Sequence, residues 1–541
     1  MAAFELDHDP TRWGRHRGEG LDAAARAFLA EHVGVAEART APAWDDVHLA
    51  PTRLTSDQLG ALAALVGADH VWVDDAARRR HAGGLSYLDL LARRLDRLAA
   101  PDAVLVPGSA ADVAAVLAWC EANGVAVVTF GGGTSVVGGL RTGEVDRPSV
   151  MLSMARLDDV LDIDVESHLV TVGAGITGPE LERILATRGL TLGHFPQSWQ
   201  RATIGGYAAT RSAGQSSTGY GRSDEMVESM VVVTPRGTLR VGRVAASAAG
   251  PDLRGLMIGS EGAYGVITEV TLRVRSVPGV TSDTAVVFPD YEAGLAAFRT
   301  MVQAGATADV MRLSDPAETA VTLAMSGPAG RGADLLDRYL GVRRVREPAM
   351  AILGWEGTRR AVAARRVDGL GILTRHGAVS LGPTVGAAWR RHRFEGPFLR
   401  DDLMDAGYLV ETLETAAHWS RLAELRSAVE SVLRAELADG GPGPYVMSHV
   451  SHVYQTGASL YFTVLARQCA DPVVQWRQAK TAATDVIVAQ GATITHHHAV
   501  GRDHAPWLQA EVGTLGVDLL QAVKATLDPA GVLNPGVLGL S

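Results

Sequence analysis

The sequence predicts an α+β protein of two large units behind a helical N-terminal segment, and three observations carry that prediction. The chain has 541 residues, which at about 150 residues per domain is roughly three or four ordinary domains or two large ones. Its composition, 47% hydrophobic and 20% charged, can fill cores of that size and excludes wholesale disorder or a collagen-like architecture. Strand and helix signals alternate along the chain without a repeat, a heptad run or a low-complexity linker, so the units are expected to pack together.

Residues 1–100 are rich in Ala, Leu, Arg and Asp, with helical spacing of apolar residues over 21–29 and 85–98. From Pro101 the texture changes. Residues 103–106 read as a strand, 110–123 as a helix stopped at Asn123-Gly124, and 125–130 as a second strand, together a βαβ unit. Strand-like pieces at 150–153 and 168–172 and a helix over 179–188 follow, and small residues then dominate 204–221. Strand and turn signals resume at 230–241, and a strand over 264–274 ends before Pro278. From 279 to 510 strands (285–288, 350–355, 459–465) alternate with helices (291–304, 358–376, 420–438), which reads as a second α+β domain. The remainder, 511–541, carries a helix over 515–527 stopped by Asp528-Pro529 and Asn534-Pro535, and is expected to pack back on the first unit.

Charge and cysteine content exclude several function classes. With 50 basic against 60 acidic residues the net charge is −10, the wrong sign for a nucleic-acid partner. Cys120 and Cys469 stand far apart, so neither a CxxC redox pair nor a clustered thiolate metal site is available. The opening stretch MAAFELDHDP is acidic where a signal peptide is basic and then apolar, and no run reaches the ~20 apolar residues of a membrane span. A cytoplasmic protein is expected, and the scarcity of lysine against arginine has the look of a bacterial coding bias.

Four glycine-rich motifs stand out. Val127-Val128-Thr129-Phe130-Gly131-Gly132-Gly133-Thr134-Ser135 follows a buried strand. Its glycines let the backbone turn tightly and aim N–H groups at an anion such as a diphosphate, while the hydroxyls add donors without charge. It lacks the Gly-Lys-Ser/Thr of a Walker loop. Taken alone, it also fits a sharp strand-to-strand turn. Gly173-Ala174-Gly175-Ile176-Thr177-Gly178 matches GxGxxG, but no acidic residue closes a strand about 20 residues on, so a glycine turn in another flavin fold competes with a Rossmann site. Thr203-Ile204-Gly205-Gly206-Tyr207-Ala208-Ala209-Thr210-Arg211-Ser212-Ala213-Gly214 is poor core material, as if something large and flat pressed on it. Gly259-Ser260-Glu261-Gly262-Ala263-Tyr264-Gly265-Val266-Ile267-Thr268 is the fourth. The alternative for the last two is a set of tight turns.

In this order, with Pro101, Val104 and Pro107 ahead of them, the motifs resemble the FAD domain of the vanillyl-alcohol-oxidase/p-cresol-methylhydroxylase (PCMH) flavoproteins over residues 101–278. The resemblance implies a two-subdomain PCMH-type FAD-binding domain, with an α+β cap domain over 279–510 that takes the substrate. It places the diphosphate on Thr129, Phe130 and residues 131–135, flavin and ribityl along Thr203, Gly205, Gly206 and residues 210–214, and the adenine side at residues 261–267. No histidine stands in residues 131–135, so the FAD is expected to be noncovalent.

The second domain decides the reaction. The metal motif H-x-G-D-G-N-x-H of related hydroxy-acid dehydrogenases is absent. In its place Thr495-His496-His497-His498-Ala499-Val500-Gly501 reads as a strand, whose alternation would keep three adjacent histidines from sharing a metal, so no metal is expected and acid–base work fits better. Arg312 in Met311-Arg312-Leu313-Ser314-Asp315, Arg400 in Gly396-Pro397-Phe398-Leu399-Arg400-Asp401, Glu411-Thr412-Leu413-Glu414-Thr415-Ala416 and Tyr461 in Gly457-Ala458-Ser459-Leu460-Tyr461-Phe462 resemble the alkyldihydroxyacetonephosphate synthase family, as do Arg12-Trp13-Gly14 and residues 527–529. That resemblance implies ether-lipid synthesis: the acyl group of acyl-dihydroxyacetone phosphate is exchanged for a fatty alcohol through a flavin N5 adduct, without net redox change. It makes Arg400 the phosphate anchor and Tyr461 the acid–base residue, with Arg312, His496, His497 and His498 needed for activity. Cationic neighbours are expected to lower the Tyr461 pKa. The competing reading is an FAD-dependent dehydrogenase or oxidase of a 2-hydroxy acid or alcohol. Peripheral contact with a membrane and a homodimer are compatible with either.

Overall fold

The computed structural model describes residues 12–13, 20–143, 146–326, 338–343, 345 and 347–540, so Gly14 and residues 1–11 lie outside the described residues. The βαβ unit seeds the first sheet. Strands β1 (Val71–Trp72), β2 (Ala103–Leu105), β3 (Ala126–Phe130) and β4 (Ser149–Ser153) lie in the order β1-β2-β4-β3. β2 and β3 both pair with β4 in parallel, as their connection through helix Ala110–Asn123 requires. That helix starts where Ser109 Oγ accepts the Asp112 N–H at 3.1 Å and ends at Gly124, whose φ of +64° makes a left-handed stop. β1 pairs antiparallel with β2. The N-terminal segment is therefore more than helical: it lends this sheet an edge strand.

The second sheet is antiparallel throughout. β5 (Val160–Asp164), β6 (Leu169–Gly173), β8 (Val227–Thr234), β9 (Gly237–Val241) and β10 (Val266–Arg273) take the order β5-β6-β10-β8-β9, while β7 (Leu190–Thr191) pairs with β11 (Arg275–Ser276). A Rossmann unit needs a parallel neighbour for the strand ahead of its glycine turn, so this pairing settles Gly173–Gly178 as the turn of a different fold.

The third sheet is the largest. β12 (Val280–Phe288), β13 (Val310–Ser314), β14 (Ala349–Gly357), β15 (Val379–Gly382), β16 (Tyr408–His418), β17 (Tyr445–Val450) and β18 (Gly457–Arg467) form an antiparallel array ordered β15-β12-β14-β13-β17-β18-β16. Helices Tyr291–Gln303, Arg359–Arg375, Leu422–Glu436 and Pro472–Ala489 cover one face, burying Phe298, Trp355 and Trp476 in the main core. The opposite face of β13, β17, β18 and β16 fronts a cavity shared with the glycine-rich loops.

The C-terminal segment staples these parts. Helix Leu508–Leu527 ends in a buried pair in which Lys524 Nζ lies 2.7 Å from Asp528 Oδ2 and donates to the Ala263 carbonyl at 3.0 Å. Asp528 also accepts the N–H groups of Val532 and Leu533. Asn534 Nδ2 then bridges the carbonyls of Gly139 and Glu261. Removing one partner strands the other charge where no water can reach it. Lys524→Ala is accordingly expected to lower the unfolding free energy by about 3–5 kcal/mol, read from urea denaturation, with the double variant Lys524→Ala/Asp528→Ala less destabilised than the sum of the single changes.

Candidate active site

Two loops meet at the first half of the site. At Gly132 a Cβ would stand 2.0 Å from the Arg201 carbonyl oxygen, and at Gly131 one would stand 2.3 Å from Thr203 Oγ1. Only glycine lets the loop after β3 press this closely on its neighbour. Among the described residues, none of the main-chain N–H groups of residues 131–135 donates to a main-chain acceptor. The small-residue stretch is not a set of turns: Thr203 caps a short helix, Ile204–Thr210, by accepting the Gly206 N–H. Glycine and alanine are what allow that helix to be overlaid closely.

These loops line a cavity of about 630 Å³. Of the residues expected to hold FAD, Thr129 and residues 131–135 reach its wall, as do Thr203, Gly205, Gly206, Thr210 and residues 212–214, and then Glu261, Gly262, Gly265 and Ile267. Five others do not. Phe130 turns away and packs its ring 4.6 Å from that of His81. Arg211 takes a left-handed helix stop at φ +53° and sends its side chain to Asp224 and the Gly255 carbonyl. Ala263, Tyr264 and Val266 are buried in the hydrophobic cores beneath the loop. The Glu261 carboxylate is already engaged by the N–H groups of Val500 and Gly501 at 2.9 Å. Burial pushes it up to about 7 against those bonds. The cradle thus offers free main-chain donors, hydroxyls and no cation, which fits a bound dinucleotide.

The third sheet supplies the second half. Its register aligns Ser314, His449, Tyr461 and Glu414 in one row across β13, β17, β18 and β16. Arg312 stands two residues from Ser314 and therefore on the same face. Its Nη2 donates to Glu318 Oε1 at 2.7 Å and lies 3.1 Å from His449 Nδ1. Burial works against the Glu318 charge, yet Arg312 holds the carboxyl well below the usual range. His449 is itself pushed towards the neutral form by burial and by Arg312, so the guanidinium is the charge that matters there. The His449 ring stacks on Tyr461 with centroids 4.9 Å apart and planes 24° apart.

Tyr461 departs from expectation. Burial, with Glu411 and Glu414 adding to it, pushes its phenol up to about 12 and outweighs Arg400. The anticipated lowering by cations fails because Arg312 is committed to Glu318 and burial drives His449 and His498 towards the neutral form. Arg400, on helix Gly396–Asp405, donates through Nη2 to the Leu85 carbonyl at 2.6 Å and stands 3.7 Å from Glu411. Its guanidinium lies over the Trp13 ring at 5.5 Å.

The histidine triplet is not a strand. Residues 494–498 form a bend, and Ala499 follows at φ +76°. Alternation therefore does not separate the rings: His496 Nδ1 and His497 Nδ1 are 2.9 Å apart. His497 and His498 line the cavity, whereas His496 stands behind them with Nε2 2.6 Å from the Tyr454 hydroxyl. His452 joins the group from the loop after β17. Its Nε2 donates to the Gly214 carbonyl at 3.0 Å, which leaves Nδ1 to accept from Ser451 Oγ at 2.8 Å. Ring nitrogens of His452, His496 and His497 come within 4.8 Å of one another; both nitrogens of His452 are engaged by Gly214 and Ser451, while His496 bridges the Tyr454 hydroxyl and His497. Burial lowers His452 and His498 to about 3. Sequence reasoning missed His449 and His452; their i, i+3 spacing at the end of β17, shortly before Tyr461, was the available signal.

Residues 101–242 match the family described as FAD binding domain, and residues 278–538 match the C-terminal domain of FAD linked oxidases. Alkyldihydroxyacetonephosphate synthase of Dictyostelium discoideum is 30% identical over 500 residues, covering 91% of this chain and 82% of that protein. A solved structure of alkyldihydroxyacetonephosphate synthase superposes with a TM-score of 0.81 at 28% identity, over 95% of this chain and 90% of that one. Substrate-bound p-cresol methylhydroxylase shares the fold, with a TM-score of 0.68 at 16% identity over 91% and 98% of the two chains.

The glycine contact gives a direct test. Gly132→Val places a branched side chain where the Arg201 carbonyl stands, so FAD affinity should fall at least about 100-fold, some 2.7 kcal/mol, while far-ultraviolet circular dichroism stays native. Flavin fluorescence titration of the stripped protein measures it.

Proposed function

Because the chain belongs to the alkyldihydroxyacetonephosphate synthase family of FAD-linked enzymes, we propose that it replaces the acyl group of acyl-dihydroxyacetone phosphate by a fatty alcohol. One observation carries the substrate assignment: the cavity face of the large sheet runs from polar to apolar along its strands. Arg312, His449, Tyr461 and Glu414 mark one end. Two and four residues along the same strands stand Thr412, Met447 and Thr463, then Val410 and Leu465. Phe28 and Leu29 of helix Ala23–His32 and Val321 of helix Pro316–Ser326 continue that apolar wall. A phosphorylated head with an alkyl tail matches this gradient, each buried CH₂ adding about 0.8 kcal/mol.

Residues 131–135 and the Thr203 loop would hold FAD noncovalently, and the bound flavin would supply reversible two-electron chemistry. The protein's own groups do the rest. Arg400 offers a planar guanidinium to the dianionic head, since its present partners are one carbonyl and a carboxylate at 3.7 Å. Across the exchange the C1–O bond to the acyl group breaks, the fatty acid leaves as carboxylate, and the alcohol oxygen forms the new C1–O bond. The alcohol's hydroxyl proton must go to a base. His498 faces the cavity and is the group placed to receive it; because burial lowers its pKa to about 3, the proton can reside there only while the charge of the reacting substrate stands beside the ring. Tyr461 keeps its proton at pH 7 and acts as a hydrogen-bond donor to the oxygen that gains charge. Residues 101–278 serve as the FAD domain, 279–510 as the cap and 511–541 as the returning segment. Among the described residues no helix is long and apolar enough to cross a membrane.

Given palmitoyl-dihydroxyacetone phosphate and hexadecanol, the yellow protein should release palmitate and form the ether without net loss of oxidised-flavin absorbance. Anaerobic bleaching by a 2-hydroxy acid, with no alkyl transfer, would overturn this reading. Arg400→Ala should act mainly on KM and Tyr461→Phe mainly on kcat, each by about 10²–10⁴-fold. Leu465→Trp, at the apolar end, should shorten the preferred chain and leave the head-group KM within about twofold.

A further inference from the structure

The geometry points to Glu414 as the positioning residue that shapes the histidine turn and aims its rings at the substrate. This rests on the reading that those histidines serve the exchange reaction. Glu414 lies on β16, directly opposite Tyr461 on β18, and is only 2% exposed. Its carboxylate accepts four donors from four consecutive residues: Thr495 Oγ1 at 2.7 Å, and the main-chain N–H groups of His496 at 2.7 Å, His497 at 3.0 Å and His498 at 2.9 Å. A bend between residues without sheet partners would otherwise bury three orphan N–H groups, so the carboxylate is what makes this backbone conformation tenable.

The consequence reaches the rings. With three successive N–H groups converging on one acceptor, the imidazoles fan out on the side of Tyr461, whose ring lies 6.2 Å from that of His497 and 5.6 Å from that of His498. The same carboxylate lies 3.4 Å from His497 Nδ1 and 3.9 Å from His498 Nδ1. It therefore favours a proton on the nitrogen facing it, and leaves the opposite nitrogen as acceptor. Only an ionised carboxylate can accept from all four donors, and the histidines beside it hold Glu414 well below the usual carboxylate range although burial opposes the charge. An amide at this position would aim its own N–H₂ at N–H groups. The other titratable groups that feel this charge are Tyr461, His452 and His504.

Glu414→Gln, nearly isosteric, tests the idea on the FAD-loaded enzyme. The expected result is a kcat lowered about 100-fold, the loss that follows a displacement of roughly 1 Å, with KM and FAD affinity unchanged within about twofold. A second readout needs no turnover. In ¹⁵N-histidine spectra of FAD-free protein, each ring of residues 496–498 should show a single tautomer in the wild type and averaged nitrogen shifts in Glu414→Gln. If Glu414→Gln does not fold, Thr495→Val removes one of the four donors and should move the same shifts in the same direction with a loss of about threefold in kcat. A folded Glu414→Gln variant with wild-type kcat and histidine shifts overturns the proposal, and so does a loss shared by FAD affinity and KM with the histidine shifts unmoved. Should the wild type lack alkyl transfer, the proposed reaction fails while the tautomer measurement still decides the role of Glu414.

Discussion

The register of β13, β17, β18 and β16 sets Ser314, His449, Tyr461 and Glu414 side by side, and the rest of the sheet side of the site depends on that row. A slip of one residue on any of these strands would turn its member into the helix-packed core. The core itself resists such a slip, because Leu313, Leu413, Leu460 and Phe462 alternate with the row and are buried on the far side. Site geometry is thus a by-product of apolar alternation. The side chains that face the cavity are held in place by the ones that face away from it.

Electrostatics follows from where that row is buried. Glu318 lines the cavity while Glu411 and Glu414 are buried behind its wall, and the three are met by Arg312, by Arg400 and by the histidine turn respectively. Each cation or donor is paired with a specific acid, so no net positive charge is left to pull a proton from Tyr461. The flavin half is built on the opposite plan, with main-chain amides and hydroxyls in place of charges. His452 spans the two, bonding the Gly214 carbonyl of one half from a loop of the other. A shift of the cap would be felt at the cradle through this contact.

Much of the first half was legible in the sequence because its signals are local. Ser109, Gly124 and the apolar spacing between them mark helix Ala110–Asn123 to the residue, and glycine cannot be replaced where two backbones touch. The second half was less so. β16 hid because two buried carboxylates interrupt its apolar pattern, Glu414 on the face that carries Thr412 and Val410 and Glu411 on the opposite face beside Leu413, where a half-buried sheet would expose acids to water. The histidine turn read as a strand because the acceptor that bends it lies about 80 residues earlier in the chain. The sign of the Tyr461 shift was misjudged for a related reason: a sequence shows which charges are near in the chain but not which of them are already paired.

This division also explains what sets the substrate. The fold is shared with p-cresol methylhydroxylase, so the fold by itself does not fix the substrate. The glycine-rich loops shape one side of the cavity and are silent on what approaches from the other. Selectivity has to come from the opposing sheet face, where spacing of two residues per step carries the wall from Arg312 and His449 through Met447 to Val410 and Leu465. A head group confined to the charged end and a tail confined to the apolar end can be satisfied together only by a molecule long enough to lie along the strands. An acid of a few carbons would fill the polar end and leave the rest to water, with little apolar area to offset its ordering. The length of the face, more than any single residue on it, is therefore what favours a lipid.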